Sequence, residues 1–257
     1  MNGQHFVQLG AFEPAAAMAA GVSDIFVRRL NSLHPLQAHE AAAALSLVHE
    51  ITPVPSHHEI LPEGRPARHA MVLLDGLACH FRVLESAQRQ ITGFVVPGDF
   101  CDFGFLSSSP VRETVMSLGP ALVGRIDLGQ FSTLAEKLPN IALAAMRGAS
   151  VEQARTRELV VTLGARDALR RLAHFLCEMY TRLSVVGLVR DSGRFNLSMT
   201  QADLGEALGL STVHINRTVQ HLRRQKLITM GHGEVTIEDY TGLAALAGFD
   251  TRYLSPG

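Results

Sequence analysis

The sequence predicts an α+β fold: a β-roll first, then a long helix, then a helix-turn-helix backed by a β-hairpin. Three observations carry that reading. Between Thr52 and Ile126, short apolar runs are cut by Pro62-Glu63-Gly64, Asp75-Gly76 and Pro97-Gly98-Asp99, the punctuation of closely spaced strands. From Gln130 to Leu183 the apolar residues recur at helical spacing. From Thr200 to Ile237, two capped helical segments joined by a Gly-containing turn precede two β-like runs on either side of Gly231-His232-Gly233.

The elements follow in order. "SDIFVRRLNSL" (Ser23 to Leu33) and "LQAHEAAAALSLVHEI" (Leu36 to Ile51) have helical periodicity. "MVLLDGLACHFRVL" reads as a hairpin turning at Asp75-Gly76, and "ITGFVV" and "ALVGRI" as further strands. Such short strands suit a small barrel or roll. "QFSTLAEKL" is a helix, and Pro139 can begin the next, since proline is tolerated in a first turn. That helix, to about Leu163, carries Ile141, Ala145, Gly148, Glu152, Arg155, Leu159 and Thr162 at heptad-like steps, with poor core residues. "RDALRRLAHFLCEMYTRL" is amphipathic, with Leu169, Leu172, Phe175, Leu176 and Met179 on one face. "GRFNLS" is a short strand.

Thr200 is the expected N-cap of "QADLGEAL", Gly209 its stop and Ser211 the cap of the following helix. Ile215, Val219, Leu222 and Leu227 point inward on that register, and Gly205 suits a close helix approach. The outward face is then Thr, His, Asn, Arg and Gln. Arg217, Arg223, Arg224 and Lys226 fall within ten residues, with His214 and His221 beside them. No acid occurs between Ser211 and Gly233, so a basic patch sits on a chain whose formal net charge is only −1. Distribution matters more than the sum, and such a patch is a candidate DNA footprint.

Composition bounds the rest. The chain has 257 residues, 47% of them hydrophobic, enough for a core and two domains. No apolar run approaches the ~18–20 residues of a membrane span, and the opening residues lack a basic-then-apolar signal, so a cytoplasmic protein is expected. Cys79, Cys101 and Cys177 are scattered, without zinc spacing, and three cysteines cannot supply a four-thiolate iron–sulfur site. Neither a catalytic motif nor a metal-ligand constellation is found among phosphate-binding, hydrolase and metalloprotease patterns. No enzyme and no cofactor are therefore expected.

"TQADLGEALGLSTVHINRTVQHLRRQKLI" resembles the helix-turn-helix of the Crp/Fnr family of bacterial transcription regulators. "VVPGDFCDFGF" with "VRETVMSLGPALVGRIDLGQF" resembles the end of that family's cyclic-nucleotide-binding-like roll. The resemblance implies a jelly-roll-like double-stranded β-roll over 1–135, a dimerisation helix over 136–164 and a winged helix-turn-helix over 165–257. It implies a homodimer on a palindromic operator in double-stranded DNA, with RNA polymerase and an unknown small effector as candidate further partners. It places Ser211 and His214 at phosphate, and Thr212, Val213 and Arg217 at bases. Thr200, Gln201, Asn216, His221, Arg223 and Arg224 complete the expected DNA-contacting set. Arg217 is the leading base reader, because Arg binds guanine O6 and N7 in a bidentate way. Val213 stands where the cyclic-AMP receptor protein carries Glu; it can pack on a thymine methyl but cannot accept from cytosine.

For an effector, the resemblance offers Arg112 at the phosphate position and Thr114 as a hydroxyl, with Asp102 near the ribose-binding place. Glu113 beside Arg112 would repel a phosphate, and the ribose-binding Glu has no match. Control by cyclic AMP is therefore not expected. A regulator of the same family that answers through the roll to a cyclic nucleotide, to haem or to redox, with Cys101 as the redox candidate, stays open as the alternative. Adjacent Cys79 and His80 fall on opposite strand faces, which argues against a shared ligand site.

Overall fold

The computed structural model describes residues 15–66 and 68–255. Helices α1 (Ala15–Leu33) and α2 (Ala38–Ser46) open it. The helix expected to reach Ile51 stops at Ser46, because His49–Val54 forms strand β1. The run Leu45 to Ile51 satisfies either period. Its β-branched Ile51 and Thr52, Pro53 behind them, and an antiparallel partner at Ala121–Asp127 decide for the strand.

The roll is two facing sheets. One is β1 with β7 (Ala121–Asp127) and β3 (His69–Asp75); the other is β2 (Glu59–Leu61), β6 (Thr114–Ser117), β4 (Ala78–Val83) and β5 (Arg89–Val95), each in that order. The expected hairpin at Asp75-Gly76 is not one. β3 pairs with β7, whereas β4 pairs with β5 and β6, so the chain crosses between sheets at this turn. Gly76 has φ +86°, and a Cβ there would lie 2.5 Å from the Pro120 carbonyl oxygen. The β4–β5 pair is the hairpin, turning through 84–88. Leu73, Val95, Val115 and Val123 fill the space between the sheets.

Helix α3 (Leu128–Lys137), capped by Asp127, leads into α4 (Pro139–Ala165), with Pro139 in its first turn. The heptad-like stripe turns inward, toward this chain's own body. Ile141 and Ala145 are buried, a Cβ on Gly148 would sit 3.0 Å from the Phe103 ring, and Arg155 donates to the Phe94 carbonyl. The outward stripe holds Leu143, Met146, Val160 and Val161, all exposed. Leu143 and Val161 are five turns apart at ~3.6 residues per turn, on one azimuth.

Helix α5 (Ala168–Val185) buries Leu172, Phe175, Leu176 and Met179 as its periodicity predicts. β8 (Arg194–Asn196), α6 (Gln201–Leu208), α7 (Thr212–Arg224), β9 (Ile228–Gly231) and β10 (Glu234–Ile237) follow, with the three strands in the order β8-β10-β9. Helix α8 (Tyr240–Ala247) and a short turn at Thr251–Leu254 close the chain onto α5 and α4. α6 seats on β5: Arg89 reaches Asp203 at 2.7 Å and Glu206 at 2.5 Å, and Gln90 donates to the Glu206 carbonyl. None of the described helices is long and apolar enough to cross a membrane.

Candidate nucleic-acid interface and sensor cavity

α6 begins with a capping box: Thr200 Oγ1 accepts from the Asp203 amide, and Asp203 accepts from the Thr200 amide at 2.8 Å. Gly209 ends it at φ +63°. At Gly205 a Cβ would stand 2.5 Å from the Leu210 carbonyl oxygen, so the turn between the helices requires glycine there. Ser211 caps α7, accepting from the His214 amide at 3.3 Å with its hydroxyl 3.0 Å from His214 Nδ1.

Ile215, Thr218, Val219 and Leu222 of α7 are buried. Thr212, Val213, His214, Asn216, Arg217, His221, Arg223 and Arg224 are exposed, as are Thr200, Gln201 and Ser211. Every residue of the expected DNA-contacting set is thus exposed. Two are already engaged: Asn216 donates to Gln201 Oε1 at 2.6 Å, and Gln201 donates back at 3.1 Å. Among the described residues no carboxylate lies within ion-pair distance of Arg217, Arg223 or Arg224. Val213 is 57% exposed, an apolar side chain held at the tip of a polar helix face. Arg171 was missed by sequence reasoning. It donates to the carbonyls of Leu163, Arg166 and Leu208, tying the end of α6 to the end of α4. Nothing local marks it, since its partners are backbone atoms of other segments.

Among the described residues, Asp102, Arg112 and Thr114 line none of the cavities. Arg112 is exposed, Asp102 accepts from the Gly104 amide at 2.8 Å, and Thr114 accepts from the Glu63 amide at 3.4 Å. A cavity of about 180 Å3 lies between the roll, α4 and α5, with walls that include His80, Glu113, Glu152, Arg155, His174 and Glu178. His80 Nε2 stands 3.4 Å from Glu152 Oε1, and Thr92 donates to Glu113 at 2.6 Å. Burial lowers the pKa of His80 and lifts that of Glu152 to about 7. Burial also lowers that of His174, with Arg166 adding to the effect.

The cysteines are all buried and free, and burial pushes Cys79 and Cys177 up to about 12 and Cys101 higher still. A thiol so disfavoured as thiolate is a poor redox trigger. The described residues hold no metal-competent cluster of three His, Cys, Asp or Glu side chains.

Residues 170–246 match the Crp-like helix-turn-helix domain, and residues 51–137 match the cyclic nucleotide-binding domain. Together the two matches cover more than half of the chain. The fumarate and nitrate reduction regulatory protein of Salmonella typhi is 26% identical over 225 residues, 88% of this chain and 89% of that protein. Its Escherichia coli K12 counterpart is 25% identical over the same shares. FixK2 from Bradyrhizobium japonicum superposes with a TM-score of 0.67 at 24% identity, over 77% of this chain and 96% of that one. The c-di-GMP-responsive regulator CLP of Xanthomonas campestris gives 0.58 at 16% identity, over 79% and 100%.

Proposed function

The chain belongs to the Crp/Fnr family of DNA-binding transcription regulators, and from that premise we propose that it reads a palindromic operator as a homodimer, without cyclic AMP as its switch. The observation that carries the reading is the α7 surface, where Arg217, Arg223 and Arg224 are exposed without an acidic partner and Val213 is held out among them. A helix of this kind presents its first residues to base edges in the major groove. Arg217 is one turn and more into the helix, the position for a guanine; Arg223 and Arg224 follow at the far end, where phosphates run.

The domain roles follow from the same premise: 1–135 as sensor, 136–164 as dimerisation helix, 165–257 as DNA-binding head. The outward stripe of α4 supports a second copy, because Leu143, Met146, Val160 and Val161 otherwise face water. Two copies related by a two-fold axis would meet half-sites about 34 Å apart.

The cavity chemistry supports excluding cyclic AMP. Glu113 and Glu152 line it, and Arg112 does not; two carboxylates repel a phosphodiester. The test is selection of bound duplexes from a random pool, run with and without cyclic AMP. An enriched inverted repeat, the same in both arms, is the expected result. Enrichment of no sequence, or enrichment only with the nucleotide, contradicts the reading.

A further inference from the structure

We propose that Gln201 sets the base preference of Asn216: by pairing with it, Gln201 withholds from DNA the amide edge that would read adenine and leaves Asn216 a single free N–H. This deepens the reading of α7 as the recognition helix and rests on it.

Gln201 is the first residue of α6, and Asn216 lies on α7, four residues after Thr212 and next to Arg217. Both side chains are exposed, yet they bond to each other twice. Asn216 Nδ2 donates to Gln201 Oε1 at 2.6 Å, and Gln201 Nε2 donates to Asn216 Oδ1 at 3.1 Å. Two reciprocal bonds require each amide to use the edge on which its oxygen and one N–H lie side by side. Rotating either amide alone by half a turn sets oxygen against oxygen and N–H against N–H, so the two act as one unit. The tie is not what holds the helices together, since Leu204, Leu208, Ile215 and Val219 are buried in one cluster.

That edge is the one that recognises adenine. An Asn reads adenine by accepting from N6 and donating to N7 together, which takes the same oxygen and the same N–H that Gln201 engages. Adenine is reached in this way only if the pair opens. The two hydrogen bonds gained then replace two that are lost, so the exchange is near balance. With the pair closed, Asn216 keeps one free N–H. A lone donor finds an acceptor on adenine, guanine or thymine in the major groove, whereas cytosine presents a donor there. The wild type should therefore exclude cytosine at one position of each half-site without choosing among the other bases.

The experiment is selection of bound duplexes from a random pool with the full chain, as wild type, Gln201→Ala, Asn216→Ala and the double variant, each checked by melting. Asn216→Ala locates the position: there the exclusion of cytosine disappears. At that position Gln201→Ala should enrich adenine about tenfold over guanine and thymine, and the double variant should lose the gain. If Gln201→Ala is misfolded, Gln201→Met, which keeps the side-chain length and lacks the amide, replaces it. If Gln201 only touches phosphate or braces the helices, its loss weakens all sequences alike and shifts no base preference. A pattern unchanged by the loss of Gln201 therefore overturns the proposal. So does adenine already preferred by the wild type at that position, or the absence of any position that responds to Asn216→Ala. Enrichment of no sequence by the wild type defeats the reading of α7 as well; an enriched repeat with any of the other contrary results defeats the pairing alone.

Discussion

Arg182 on α5 and Asp99 on the roll meet through an Nη2–Oδ2 contact of 2.6 Å across 83 positions of sequence. Arg29 on α1 takes the other carboxylate oxygen at 2.7 Å, and Arg155 on α4 stands 3.7 Å away. One buried carboxylate thereby joins α1, the roll, α4 and α5. The three guanidinium groups outweigh the burial cost and hold Asp99 well below the ordinary carboxylate range.

Replacing Asp99 by Asn should leave three buried arginines short of their shared anion. Breaking a buried pair in this way costs about 3–5 kcal/mol, read as a lower denaturant midpoint. The pH dependence has a definite sign. A depressed carboxyl contributes stability that is present above its ordinary pKa and disappears as pH falls toward the folded value. The wild type should therefore lose more stability than Asp99→Asn between pH 5 and the acid limit. Parallel acid limbs would contradict the hub.

Glu152 should behave oppositely. Its folded pKa, about 7, lies above the ordinary carboxyl value of 4.5, so the folded state holds the proton longer and stability falls as pH rises between the two. Glu152→Gln removes that penalty. The variant should gain about 2 kcal/mol over wild type above pH 7, a figure reduced for the 28% of the side chain that solvent reaches, and gain little at pH 4. Melting temperatures of the two proteins across that range check it; a constant difference would place the carboxyl in ordinary solvent.

Arg89 ties α6 to the roll through Asp203 and Glu206. Arg89→Ala should raise hydrogen exchange across Gln201–Leu208 while leaving Ala121–Asp127 unchanged. Equal protection in α6 would mean that apolar packing alone seats the head.

The helix-turn-helix was legible because its determinants are local. Thr200, Gly209 and Ser211 announce helix ends within a few residues of where they act, and the period of Ile215, Val219 and Leu222 fixes the buried side. The roll was less legible because strand pairing is not local. Asp75-Gly76 has the chemistry of a hairpin turn, but β3 and β4 each find better partners far along the chain. What the α4 stripe packs against was illegible for a related reason: its small residues accept Phe103 and the roll, and the apolar residues left outside follow a different stripe. The surroundings of the effector candidates were the least legible. Arg112 and Asp102 are not on the walls of the cavity that His80, Glu152 and His174 line from three separate elements.

The outward stripe of α4 predicts a dimer that charge can break. Met146→Glu together with Val160→Glu should yield monomers at micromolar concentration in sedimentation, with the melting of each chain little changed, since both side chains are exposed. A dimer of undiminished affinity would move the interface off this helix.

On the proposed reading, α7 recognises DNA through Arg217, while Arg223 and Arg224 hold the phosphate backbone. A salt titration of binding to the selected duplex and to a scrambled one, for wild type, Arg217→Ala and Arg224→Ala, tests this most directly. Arg217→Ala should cost about 1–3 kcal/mol per half-site on the selected duplex and little on the scrambled one. Arg224→Ala should weaken both alike and flatten the salt slope by about one for each phosphate no longer neutralised. If Arg217→Ala keeps wild-type affinity for the selected duplex and wild-type discrimination against the scrambled one, Arg217 is not a base reader and the recognition surface lies elsewhere.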